Sequence, residues 1–122
     1  MTSERAIVKA ILVYLNGLLG CLARKRWGGG MGVAGDPDID ACFHGRSVQL
    51  EVKRPGEAPT PLQVKRLEEW RRAGAVAAVV VSVDEVRSLL ATEGLILSAL
   101  DHPDAESRKK SANRSEPPGI SR

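Results

Sequence analysis

Two runs of alternating side chains, Asp38–His44 and Ser47–Lys53, meet at the turn His44-Gly45-Arg46. That pattern confines this stretch to an antiparallel hairpin. Side chains alternate faces along a strand, so Asp38 and Asp40 share a face, as do Glu51 and Lys53. The turn decides how the two pairs meet. A two-residue loop at His44-Gly45 sets Asp38 opposite Glu51, whereas a loop at Gly45-Arg46 sets Asp38 opposite Lys53 and Asp40 opposite Glu51. Either register gathers the carboxylates and the lysine on one face, and a one-residue slip separates them. Carboxylates gathered in this way repel one another unless a cation lies between them. A hard divalent metal with oxygen ligands suits the position.

The rest of the chain supplies layers for such a hairpin. Residues 4–19 read as an amphipathic helix, with Ser3 as N-cap, Ile7, Ile11, Tyr14, Leu15 and Leu18 at helical spacing, and Gly17 and Gly20 at its end. Glu4 extends the buried stripe, either as a carboxylate favoured by the helix N-terminus or as one that reaches the hairpin site. Cys21–Trp27 reads as a short strand carrying Arg24, Lys25 and Arg26. A glycine-rich loop follows, without the lysine and Ser/Thr of a phosphate-binding P-loop.

Beyond the hairpin, Thr60-Pro61-Leu62-Gln63 has the form of a capping box that opens a helix through Leu67 and Trp70 to Ala73. Lys65, Arg66, Arg71 and Arg72 add positive charge to its exposed side. The apolar run Ala75–Val81 predicts a strand covered on both faces. Ser82-Val83-Asp84-Glu85 predicts a second capping box and a helix carrying Val83, Val86, Leu89 and Leu90, ended by Gly94. This order of elements gives an α/β sandwich around a mixed sheet.

Residues 1–94 form the expected domain, 95–100 a short apolar segment suited to a partner, and 101–122 a polar tail with the composition of disorder. At 43% hydrophobic, 122 residues suffice for one core, and the four aromatic residues make that core aliphatic. A net charge of +3 is compatible with a polyanionic partner. Cys21 and Cys42 lack metal-ligand spacing and suit a reducing cytosol. No apolar run is long enough for a bilayer and the N-terminus lacks a signal-peptide pattern, so the expectation is a protein with no membrane partner.

Gly35-Asp36-Pro37-Asp38-Ile39 followed by Glu51-Val52-Lys53 resembles the active-site pattern of the PD-(D/E)XK nuclease superfamily. The segment Pro55-Gly56-Glu57-Ala58-Pro59-Thr60-Pro61-Leu62-Gln63, with Trp70 and Ala73-Gly74-Ala75 beyond it, is similar to the virus-type replication-repair nuclease (VRR-NUC) branch. The resemblance runs from Glu4 to Leu90. It implies a restriction-endonuclease-like α/β sandwich and a metal-dependent phosphodiesterase acting on DNA. Asp38, Glu51 and the backbone carbonyl of Val52 would ligate Mg²⁺ or Mn²⁺, with Lys53 acting on the attacking water or the phosphate. Gln63 and Glu4 match the family's glutamine at the helix start and its acidic residue in the first helix. Asp40 shares the face without being required by the motif, and Asp36 reads as a turn residue.

Arg24, Lys25, Arg26, Lys65 and Arg66 would contact phosphates, which position DNA without specifying its sequence. Stand-alone members of the family resemble structure-selective nucleases that act as homodimers on branched DNA, including four-way (Holliday) junctions. A bacterial or phage-infected cell and a role in DNA repair go with that resemblance. Two other readings stand beside it: a restriction or nicking nuclease on unbranched DNA, and a catalytically silent nucleic-acid-binding subunit. The complete Asp38, Glu51 and Lys53 set argues against the silent subunit.

Overall fold

The computed structural model describes residues 2–28 and 30–97. In chain order these form α1 (Glu4–Asn16), β1 (Cys21–Lys25), β2 (Ile39–Phe43), β3 (Arg46–Val52), α2 (Pro61–Arg72), β4 (Val76–Val80) and α3 (Val83–Thr92). The strands lie in the order β1-β2-β3-β4, with the first two pairings antiparallel and the last parallel. The result is the expected α/β sandwich with a mixed sheet.

The hairpin loop takes the first of the two registers. Phe43 pairs with Arg46 and Ile39 with Leu50, so His44 and Gly45 alone make the turn. Both have positive φ, 51° and 82°, as a two-residue loop matched to strand twist requires. His44 is held in this conformation by its N–H, which donates to the Gly20 carbonyl at 2.9 Å, and by stacking on Phe43. A side chain at Gly20 would place its Cβ 2.6 Å from the His44 ring, so only glycine fits where β1 begins.

One face of the sheet carries the core. Ile39 and Phe43 of β2, Leu50 and Val52 of β3, Ile11 and Leu15 of α1, and Val86 and Leu90 of α3 are fully buried. Each such side chain contributes about 1.5–3 kcal/mol of burial free energy. The opposite face, which holds Asp40, Gln49 and Glu51, is covered in part by α2. Core and chemistry thus occupy opposite sides of the same hairpin.

Both outer strands are protected by a side chain. Asn16 pairs with β1 as a strand would: its Nδ2 donates to the Ala23 carbonyl at 3.0 Å and its Oδ1 accepts from the Ala23 N–H at 2.8 Å. Arg71 Nε donates to the Ala77 carbonyl of β4 at 2.8 Å. Occupied edge groups discourage sheet extension by another chain.

Several expectations shift in detail. The first helix stops at Asn16, and β1 ends at Lys25 rather than Trp27. At α2 the capping box is complete, since Thr60 Oγ1 accepts from the Gln63 N–H and Gln63 Oε1 from the Thr60 N–H. At α3 it is not. Ser82 Oγ accepts from the Glu85 N–H, but the Glu85 carboxylate reaches one residue further back, to the Val81 N–H. In the 95–100 segment, Ile96 is buried in the core and Leu97 is exposed; residues 98–100 and the 101–122 tail lie outside the described residues. No helix among the described residues is long and apolar enough to cross a membrane. Neither Cys21 nor Cys42 is in a disulfide.

Candidate active site

Asp38 sits one residue before β2, clamped from both sides. Its carbonyl accepts from the Arg26 N–H at 2.7 Å, which extends the β1–β2 ladder by a step. Its side-chain Oδ2 accepts from the Val52 N–H at 2.7 Å, so the carboxylate takes over a ladder bond just before β2 begins. The ordinary requirement that a strand N–H find an acceptor thus fixes the orientation of an acidic side chain.

The same peptide geometry bears on Val52. The Lys53 N–H donates to the Val80 carbonyl of β4 at 3.0 Å. In a trans peptide the carbonyl opposes the N–H, so the Val52 carbonyl points away from β4, toward the Asp38 side.

Glu51, opposite Asp38 in this register, is only 2% exposed. Its Oε2 lies 3.8 Å from Lys53 Nζ, and its Oε1 is buried without a hydrogen-bond partner. Burial pushes its carboxyl up to about 8, with the charge of Asp38 and a hydrogen bond between the two carboxyl groups adding to the effect, and Lys53 opposing it. Glu4, at the first position of α1, belongs to the same electrostatic cluster. Its carboxyl is raised by burial, then by a hydrogen bond with Glu57, and lowered by Lys53.

Glu57 is the residue that sequence reasoning missed. It closes the Pro55-Gly56 turn by accepting from Arg54, with Oε1 taking the Arg54 N–H at 2.9 Å and Oε2 taking Nη2 at 2.8 Å. These bonds hold its carboxyl down to about 2. A basic–acidic pair three residues apart across a Pro-Gly turn was the available signal. Gln49 was missed as well. It is fully buried beside Asp40, and its Nε2 donates to Asp40 Oδ1 at 2.7 Å.

Asp38, Glu51, Val52, Lys53 and Glu4 therefore come together. Gln63 is held by its capping box, which engages Oε1. Of the basic residues, Arg24, Lys25 and Lys65 are exposed. Arg26 is committed within the fold: Nη1 donates to the Pro37 carbonyl at 2.7 Å, Asp36 and Asp40 lie within ion-pair distance, and the guanidinium stacks over Trp70. Arg66 is likewise engaged, by the Ala34 carbonyl and Glu69. Asp36 acts within the turn and accepts from Trp70 Nε1 at 3.3 Å.

Among the described residues no three His, Cys, Asp or Glu side chains converge into a preformed metal cage. The oxygen donors at the site are the carboxylates of Asp38 and Glu51 with the Val52 carbonyl. Two carboxylates and a carbonyl, one carboxylate oxygen being buried and unpartnered, fit a hard divalent cation that keeps several waters.

The fold has counterparts among solved structures. A structure described as a VRR_NUC domain is 30% identical to the chain, covering 74% of this chain and 96% of its own, with a TM-score of 0.62. The chain belongs to the VRR-NUC family. A second structure, described as a VRR_NUC domain protein, shares the fold at 20% identity and a TM-score of 0.54, covering 80% of this chain and 90% of its own. No protein-family model and no curated protein matches the sequence. Membership makes this a nuclease domain of the restriction-endonuclease-like α/β fold, which implies DNA as the substrate.

Proposed function

We propose that this VRR-NUC domain is a divalent-metal-dependent DNA endonuclease of PD-(D/E)XK type that selects branched DNA, four-way junctions included. The observation that carries the reading is Glu51, a carboxylate 2% exposed with an unpartnered Oε1, set opposite Asp38 and beside Lys53. A buried carboxylate beside a half-buried one is relieved either by a proton or by added positive charge, and one lysine leaves Glu51 protonated to about pH 8.

Asp38, Glu51 and the Val52 carbonyl would hold Mg²⁺ or Mn²⁺. A cation held there would supply positive charge against the scissile phosphate and lower the pKa of a water bound to it. Lys53 orients that water and sets its ammonium against charge developing on the phosphate. Glu4 adds negative charge from α1 to the same electrostatic cluster as Lys53. Gln63 keeps its Nε2 as a donor once Oε1 is committed to the cap. Arg24, Lys25 and Lys65 bind phosphates, and Arg26 and Arg66 support the loop between them.

A homodimer would present two such sites related by two-fold symmetry, as cutting both strands of a junction requires. A cytoplasmic role in DNA repair, in a bacterial or phage-infected cell, fits this activity. The test is incubation with Mg²⁺ or Mn²⁺ and linear, flap, splayed and four-way-junction DNAs, beside Lys53→Ala and an EDTA control. Branch-selective cutting lost in both controls is the expected result. DNA that is bound but never cut would replace this reading with a silent binding subunit.

A further inference from the structure

Trp27 is 89% exposed and Met31 fully so, on the glycine-rich loop between β1 and β2. Exposed indoles are costly to leave in water and usually mark contact surfaces. This one is not at a loose end. The Arg26 N–H donates to the Asp38 carbonyl, so Trp27 begins one residue beyond a bond to a proposed metal ligand. The loop's other end is docked on α2: a Cβ at Gly35 (φ +83°) would fall 2.7 Å from Leu62 Cγ, and Arg66 Nε donates to the Ala34 carbonyl at 3.0 Å.

Between these anchors lies an open cleft of about 460 Å³ whose lining includes Lys25, Trp27, Asp36, Pro37 and Asp38, with Lys25 and Trp27 at the strand end that runs alongside Asp38. Gly28 and Gly30 have nothing within 4 Å of where a Cβ would lie, and neither has positive φ. The fold itself does not demand glycine there. The absence of side chains at both positions leaves that stretch of the loop surface uncovered. Exposed Arg24 and Lys25 add positive charge along the same strand.

We propose that Trp27 is a stacking platform for an unpaired base of the DNA substrate, placing the adjoining phosphate along the cleft toward Asp38. An aromatic face next to basic residues and an open groove is the arrangement that binds single-stranded nucleic acid. A fully paired duplex offers no free base face, so the platform favours flaps, splayed arms and junction centres. The proposal rests on the nuclease reading above and gives its branch selectivity a residue.

The test is equilibrium binding of the full chain in EDTA to a short oligothymidylate, a flap DNA and a blunt duplex, following tryptophan emission. Oligothymidylate should quench the emission saturably, and the quench should vanish in Trp27→Phe, which retains Trp70 as an internal control and should keep most of the affinity. Trp27→Ala should weaken oligothymidylate and flap binding about tenfold, with duplex affinity and Tm unchanged. Equal weakening on all three DNAs, or no quench, would overturn the proposal. So would a concentration-dependent dimer abolished by Trp27→Ala, which would make the indole a protein contact. Trp27-dependent binding without cutting of any DNA would sink the nuclease reading alone; cutting with unchanged Trp27→Ala binding would sink only the platform.

Discussion

Glu51 Oε2 lies 3.8 Å from Lys53 Nζ, yet this ion pair is outweighed by its surroundings. Burial and the neighbouring Asp38 raise the Glu51 carboxyl from about 4.5 to about 8, and Lys53 offsets only part of that. Folding therefore favours the protonated acid. Between these values the native state holds a proton that the unfolded state has released, so stability falls as pH rises. In EDTA, Tm should drop by roughly 15 °C or more between pH 5 and pH 8.5, and Glu51→Gln should flatten that slope and be the more stable protein at pH 8.5. An unchanged wild-type slope in Glu51→Gln would show that another group carries it.

A cation bound between Asp38 and Glu51 would reverse the penalty, because it favours the ionised form. At pH 8, millimolar Mg²⁺ or Mn²⁺ should raise Tm by several degrees, roughly as RT ln(1 + [L]/Kd) predicts. Asp38→Asn and Glu51→Gln should abolish the rise. A rise retained in both variants would place the ion elsewhere.

Lys53 is positioned by β3 and its side chain is largely buried, at 14% exposure. Lys53→Ala should lower the cleavage rate at least about 100-fold while Tm at pH 7 changes little, since Glu51 is mostly protonated there and little ion-pair energy is lost. Activity within about threefold of wild type would assign Lys53 to structure.

Gln63 separates a cap from a site residue. Gln63 Oε1 accepts from the Thr60 N–H at 2.9 Å, a role glutamate fills equally well. Gln63→Ala should cost about 1 kcal/mol by urea denaturation, whereas Gln63→Glu should fold as wild type. If the Nε2 donor serves the substrate, Gln63→Glu should still lose activity about tenfold or more; full activity would leave Gln63 as a cap.

The hairpin, the capping box at Thr60, the aliphatic core and the pairing of Asp38 with Glu51 and Lys53 were written in the sequence. Alternation and capping are local, and each is set by residues within a few positions of one another. The choice between two registers was not, because it rests on His44 being held at positive φ by Gly20, twenty-four positions earlier. Nor could the sequence reveal that Arg26 and Arg66 are engaged within the fold, or that Asn16 covers β1. Those partners are distant in sequence or separated by a turn, and only the folded chain brings them within hydrogen-bond distance. The carboxylates were legible from spacing; their shared electrostatic penalty arose only when the sheet removed Glu51 from water.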